Sequence, residues 1–132
     1  MPGCFLIFRV FVQALIIILT NLIISAIQQA MEKHKPHYKL LRVQETVADP
    51  ESQPFTITAL RGGLELGLME QEMRQVVLAL SRHDFYKAMT THQDHRVWQD
   101  VYHGTTRDGI PVYIKIADFT DGRPPVIQFK AK

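Results

Sequence analysis

Residues 110–116 read Ile-Pro-Val-Tyr-Ile-Lys-Ile, and this strict alternation leaves little choice of local structure. Successive side chains of an extended strand point to opposite faces. Ile110, Val112, Ile114 and Ile116 therefore share one face, and Pro111, Tyr113 and Lys115 share the other. Such a strand is half buried, aliphatic toward a core and polar toward water. Residues 126–130 repeat the pattern, with Ile127 and Phe129 opposite Gln128 and Lys130. Residues 97–103 mix β-branched and aromatic side chains. Asp108-Gly109 and Asp121-Gly122 are turn signals between these three strands, the arrangement of an antiparallel meander.

The chain ahead of the strands reads as helices. Leu40, Leu41, Val43 and Val47 give residues 38–48 an amphipathic helical pattern. Pro50 and Pro54 mark a loop over 49–55. Thr58 is the expected N-cap of a short helix to Leu66, weakened by Gly62 and Gly63 at roughly 1 kcal/mol each relative to alanine and closed by Gly67. Met69, Met73, Val76, Val77 and Leu80 form one apolar stripe over 69–80, with Glu70 and Glu72 in the first turn, where they complement the helix dipole. Helices first and strands afterwards imply an α+β fold, N-terminal helices packed on one face of an antiparallel sheet.

The first 30 residues differ from all of this. Residues 5–27 are almost wholly apolar, and Arg9 is the only charged side chain before Met31. About 20 apolar residues are enough to span a bilayer. Yet soluble composition begins at Met31, and the expectation is a chain in two parts: an apolar extension over 1–30, outside the working protein, and a soluble domain over 31–132 with Met31 as its candidate start. The alternative is a spanning helix. In that case Lys33, Lys35, Lys39 and Arg42 just beyond it would hold the domain on the cytoplasmic side.

Composition narrows the chemistry. A net charge of +2 does not by itself argue for nucleic-acid binding, so any affinity for phosphate has to come from a local patch. Cys4 is the sole cysteine, which excludes an internal disulfide and a multi-cysteine zinc site. His92-x-x-His95, with His83 and His103, is read as loop histidines rather than a metal site, and no cofactor is expected. The polar strand faces are more informative. Tyr113, Lys115, Gln128 and Lys130 would share one open, wet sheet face, to which the first strand adds Trp98, Gln99, Asp100 and Tyr102. Lys87 lies in the segment leading into the sheet. Lysines bind phosphate and aromatic rings stack on unpaired bases. The same groups suit RNA cleavage by the RNA's own 2′-hydroxyl, which needs a base, an acid and positive charge at the phosphorus. A solvated strand face kept polar for solubility is the competing reading, and a non-catalytic regulator or a membrane-anchored accessory protein are the competing functions.

The segments Asp84-Phe85-Tyr86-Lys87-Ala88-Met89-Thr90-Thr91, Asp94-His95, Trp98-Gln99-Asp100-Val101-Tyr102, Val112-Tyr113-Ile114-Lys115-Ile116 and Phe129-Lys130-Ala131-Lys132 occur in this order. Together with Met31-Glu32-Lys33 and Pro36-His37 they strongly resemble the motility quorum-sensing regulator (MqsR) toxin family over residues 31–132. Residues 1–30 have no counterpart in that pattern. The resemblance implies a small α+β fold similar to RelE-type nucleases. It also implies a cytoplasmic endoribonuclease that cuts messenger RNA at GCU-type sites without the ribosome, and whose activity arrests growth and favours biofilm. The implied partner is a cognate antitoxin with a zinc-binding domain and a helix-turn-helix domain, operator DNA being reached only through that antitoxin. The family's catalytic Lys, Gln, Tyr and Lys fall on Lys87, Gln99, Tyr113 and Lys130. Tyr86, Trp98, Tyr102, Lys115 and Gln128 are the expected RNA contacts.

Overall fold

The computed structural model describes residues 2–119 and 125–132, without the side chains of residues 2–6 and 25–30. The chain divides into two units, Met1–Glu32 and Lys33–Lys132. In the first, α1 (Pro2–Ala30) is a continuous helix of 29 residues, about 43 Å long at 1.5 Å per residue. Its stretch Ile7–Ile24 has a mean hydropathy of 2.3 and none of it is buried, so by length and composition it is able to cross a membrane.

In the second unit three helices, α2 (Leu40–Ala48), α3 (Ile57–Glu65) and α4 (Glu70–Leu78), precede four of the five strands of a sheet of order β1-β2-β3-β4-β5. The strands are β1 (Glu32–Lys33), β2 (Phe85–Thr90), β3 (Trp98–Thr105), β4 (Pro111–Ala117) and β5 (Val126–Ala131). Pairs β2–β3, β3–β4 and β4–β5 are antiparallel. The fold is α+β, as the order of patterns in the chain suggests. The sequence reading stopped at three strands; β2 and the two-residue β1 complete the sheet. Phe85-Tyr86-Lys87-Ala88-Met89-Thr90 hides its strand character because a register shift between Phe85 and Lys87 breaks the alternation. The Asp121-Gly122 turn lies outside the described residues.

The aliphatic strand face packs on the helices. Val112, Ile114, Ile116, Ile127 and Phe129 are buried together with Val43 and Val47 of α2, Ala59 of α3 and Met73, Val76 and Val77 of α4. Thr56, not Thr58, caps α3, its hydroxyl accepting from the Ala59 N–H at 3.0 Å. Two residues earlier is the better start because 54–56 also pair with β5: Thr56 N–H donates to Ile127 O at 3.1 Å, and Ile127 N–H to Pro54 O at 2.7 Å. Gly67, at φ +74°, ends the helix in the left-handed region. Leu68 N–H donates to Gly63 O at 2.8 Å and Gly67 N–H to Leu64 O at 2.9 Å. Met69, expected on the apolar stripe, is exposed, whereas Arg74 of the same helix is buried. Its guanidinium donates to Val47 O (2.8 Å), Asp49 O (2.9 Å) and the Glu70 carboxylate (2.8 Å), stapling the loop after α2 to α4.

Two close approaches set the position of the sheet. A Cβ on Gly62 would lie 2.6 Å from the Phe129 carbonyl oxygen, and a Cβ on Gly63 would collide with the Met73 sulfur. The glycines that weaken α3 as an isolated helix are what let it press onto β5 and α4. At the other end of the sheet the Asp100 carboxylate is buried and accepts three hydrogen bonds from backbone N–H groups. His37 N–H reaches Oδ1 at 2.8 Å and Oδ2 at 3.0 Å, and Tyr38 N–H reaches Oδ2 at 2.8 Å. Burial pushes this carboxyl above the usual carboxylate range, and the two N–H donors pull it back.

Gly62→Ala is expected to destabilise the protein by about 1–3 kcal/mol despite alanine's better helix propensity, because a backbone carbonyl cannot swing aside; a urea midpoint equal to or above the wild type would show that α3 has room to retreat. Asp100→Ala leaves the part-buried His37 and Tyr38 N–H groups without their acceptor, at about 1 kcal/mol each, the low end of the cost of an unmade hydrogen bond. Hydrogen exchange at the His37 and Tyr38 amides should quicken first, and unchanged protection there would discard the clamp.

Candidate functional site

Helices cover one face of the sheet, so the other face carries the side chains that the core does not take. On β4 these are Tyr113 and Lys115. The ladder places Lys130 opposite Tyr113 and Gln128 opposite Lys115. On the other side of β4, His103 faces Tyr113 and Val101 faces Lys115. Lys87 pairs with Val101, and Gln99 pairs with Met89. By strand alternation Lys87, Met89, Gln99, Val101, His103, Tyr113, Lys115, Gln128 and Lys130 occupy a single face.

The register shift in β2 decides whether Lys87 belongs there. Phe85 is partly buried against the core and packs edge-on against Tyr102, ring centroids 5.5 Å apart. Plain alternation from Phe85 would return Lys87 to the core side. The extra residue delays the pattern by one, and Tyr86 and Lys87 both reach the open face.

Tyr86, Lys87, Met89, Val101, Tyr113, Lys115, Gln128 and Lys130 line an open groove of about 410 Å³. Lys87, Lys115 and Lys130 give this lining three cations and no carboxylate, a local patch that the net charge of +2 conceals. Of the four residues expected to be catalytic, Lys87, Tyr113 and Lys130 line the groove. Gln99 is on the same face, beyond Met89, and outside the lining. Of the expected RNA contacts, Tyr86, Lys115 and Gln128 are in it.

Tyr102 and Trp98 are corrections. Both share the opposite face with Asp100, because residues 98, 100 and 102 alternate away from 99, 101 and 103. Tyr102 is 2% exposed and belongs to the core cluster. Burial and, next, the Asp100 carboxylate push its phenol up to about 12. Trp98 is occupied by the segment before α2: His37 stacks on it at 5.3 Å, and the Lys33 ammonium lies over its ring at 4.2 Å. Asp100, also expected on the wet face, is the buried clamp described above. Over 97–103 apolar and polar side chains fall on both faces, so the pattern does not say which face meets the core.

Two groups on the open face escaped the sequence reading in this role. His103 lies between Tyr86, stacked at 4.6 Å, and Tyr113, edge-on at 4.9 Å. Lys132 places its ammonium 3.3 Å from His103 Nδ1 and 5.8 Å from the Tyr113 ring centroid. The signal for both was the two-residue period: His103 continues Gln99 and Val101, and Lys132 continues Gln128 and Lys130. His92 and His95 lie in the connection between β2 and β3. Among the described residues no three His, Cys, Asp or Glu side chains converge as a metal site would require.

The arrangement offers phosphate-binding charge, a phenol and the Gln128 carboxamide along one open trough. The family model described as "Motility quorum-sensing regulator, toxin of MqsA" matches residues 35–131. The chain is also 41% identical over 102 residues to the mRNA interferase toxin MqsR of Escherichia coli (strain K12), a match spanning 77% of this chain and the whole of that relative.

Proposed function

Because the chain belongs to the motility quorum-sensing regulator family of toxins, we propose that the open groove of its sheet is an endoribonuclease site that cuts messenger RNA. The single observation that carries this reading is the groove lining itself: Lys87, Lys115 and Lys130 surround Tyr113 with no carboxylate among them. Such a trough attracts a polyanion and stabilises a phosphorane, where negative charge accumulates.

The reaction is transesterification within the RNA. The 2′-oxygen bonds to the adjacent phosphorus as the P–O5′ bond breaks. One proton leaves the 2′-hydroxyl for a base and another goes from an acid to the departing 5′-oxygen. The products are a 2′,3′-cyclic phosphate and a 5′-hydroxyl, and no metal ion takes part. Tyr113 exchanges a proton with the 2′-hydroxyl or the leaving oxygen. Lys87 and Lys130, on β2 and β5, grip the phosphate from two sides of the groove, and one of them serves as the acid. Gln99, one step along the same face, orients the phosphate or a base edge. Tyr86 offers a ring for an unpaired base, and Lys115 and Gln128 hold the flanking backbone.

The biological setting follows the same reading. Cleavage at GCU-like sites proceeds without the ribosome in the cytoplasm. A cognate antitoxin, with a zinc-binding domain and a helix-turn-helix domain, silences the toxin and carries any contact with operator DNA. The working unit is residues 31–132, and α1 is an addition to it; the E. coli relative is matched along its whole length by 102 residues of this chain.

A defined RNA incubated with the protein in EDTA is expected to give fragments ending in 2′,3′-cyclic phosphate. Binding without cleavage would instead make the protein a non-catalytic regulator. Lys87→Ala, Gln99→Ala, Tyr113→Phe and Lys130→Ala should each keep the wild-type melting temperature and slow cleavage by roughly 10²-fold; four wild-type rates would remove the assignment. A chain begun at Met31 is expected to cut the same RNA at the full rate, and a large loss would assign α1 a part in the activity.

A further inference from the structure

Among the described residues of the open face's strands, His103 is the one imidazole, and its surroundings are built rather than incidental. Tyr86 stacks on one side of the ring and Tyr113 meets it edge-on from the next strand. Nε2 is buried and has no hydrogen-bond partner among the described residues. Nδ1 lies 3.3 Å from the Lys132 ammonium. An ammonium only donates, so Nδ1 accepts and the single ring proton of the neutral imidazole resides on Nε2. Lys132 is tethered at both ends: its backbone N–H donates to Pro111 O at 3.1 Å, and its ammonium is held over the Tyr113 ring.

We propose that His103 is a positioning residue of the nuclease site: its Nδ1 holds the Lys132 ammonium over the Tyr113 ring, adding a fourth cation near the residue that handles the proton. This rests on the nuclease reading of the groove and deepens it. His103 touches neither RNA nor the reacting atoms. It acts through Lys132, whose long, flexible side chain would otherwise spread over many rotamers. The lysine charge assists this hydrogen bond, which at 3.3 Å is a long one.

The arrangement is sensitive to pH. The titratable and charged groups around His103 are Tyr86 and Lys87 from β2, Tyr113 from β4, Lys130 from β5 and Lys132 just beyond it; among the described residues no side-chain carboxylate joins them. Burial, and then the Lys132 charge, hold the imidazole below its ordinary range. The ring is neutral near pH 7 and accepts the lysine. As pH falls through that lowered value, Nδ1 gains a proton, stops accepting and repels the ammonium. Lys132 leaves Tyr113, and cleavage declines on the acid side.

The test measures kcat and KM of the full chain on a defined RNA across pH for His103→Phe, His103→Asn, Lys132→Ala and the Phe/Ala double variant. Phenylalanine keeps both ring contacts and removes the acceptor; asparagine keeps an acceptor near the Nδ1 position. His103→Phe and Lys132→Ala are each expected to lose roughly tenfold in kcat with little change in KM, the loss of one charge-assisted hydrogen bond. The double variant should be no slower than either single variant. His103→Asn should regain most of the rate and lack the acid-side decline. Additive losses, or a wild-type rate in Lys132→Ala, overturn the inference. Lys132→Ala alters an exposed side chain, so that arm stands even if His103→Phe folds poorly. Tyr113→Phe and Lys87→Ala run alongside. If those two are slow while the His103 and Lys132 variants are not, the positioning role alone fails; if all cut normally, the assignment of this groove as the cleavage site fails with it.

Discussion

Burial of one aliphatic strand face beneath three helices is the interaction on which the molecule depends. Val112, Ile114, Ile116, Ile127 and Phe129 are inside because α2, α3 and α4 stand over them. Once those side chains are committed, alternation commits their neighbours to the opposite side, and no further energy is needed to aim Tyr113, Lys115, Gln128 and Lys130 at a common space. A close approach in this arrangement, Gly62 against the Phe129 carbonyl, is one residue from Lys130. A helix on the hidden side thereby sets the height of a lysine on the exposed side.

Electrostatics in the two halves of the sheet follow opposite rules. On the helix side, charge is isolated and satisfied: Asp100 is saturated by N–H donors, and Arg74 by carbonyl oxygens and Glu70. These groups hold loops in place and would be costly to leave bare. On the open side, the lining of a solvated trough gathers three cations and no carboxylate. An unbalanced cluster of this kind costs little while water screens it, and it is repaid only when an anion enters.

How much of this was legible in the chain depended on whether local pattern and tertiary packing agreed. They agreed in β4 and β5, where aliphatic and polar residues alternate cleanly, so facing and register could be read directly. They disagreed at 97–103. There Val97, Trp98, Val101 and Tyr102 carry apolar area on both sides, and Trp98 and Tyr102 turned out to face the helices. Asp100 illustrates why composition misleads: an acidic residue in a strand reads as solvent-facing, and only the distant His37 and Tyr38 amides make its burial tolerable. The Gly62-Gly63 pair reads as a weak helix, because its benefit lies in contacts with β5 and α4 that are remote in sequence. Arg74 disappears among polar neighbours for the same reason.

The irregularity at Phe85–Lys87 has a consequence for how such a protein tolerates change. Side-chain sidedness in a strand is a matter of parity, and here an odd residue is inserted between an aromatic that anchors the sheet and a lysine that faces the groove. Removing one codon anywhere in that step would leave composition, net charge and nearly all of the hydrophobic core as they are, yet carry the amine through the sheet toward Asp100. Families with this layout should therefore accept substitutions around the step far more readily than changes of length, and a lineage discarding a harmful activity has there a mutational exit that spares the fold.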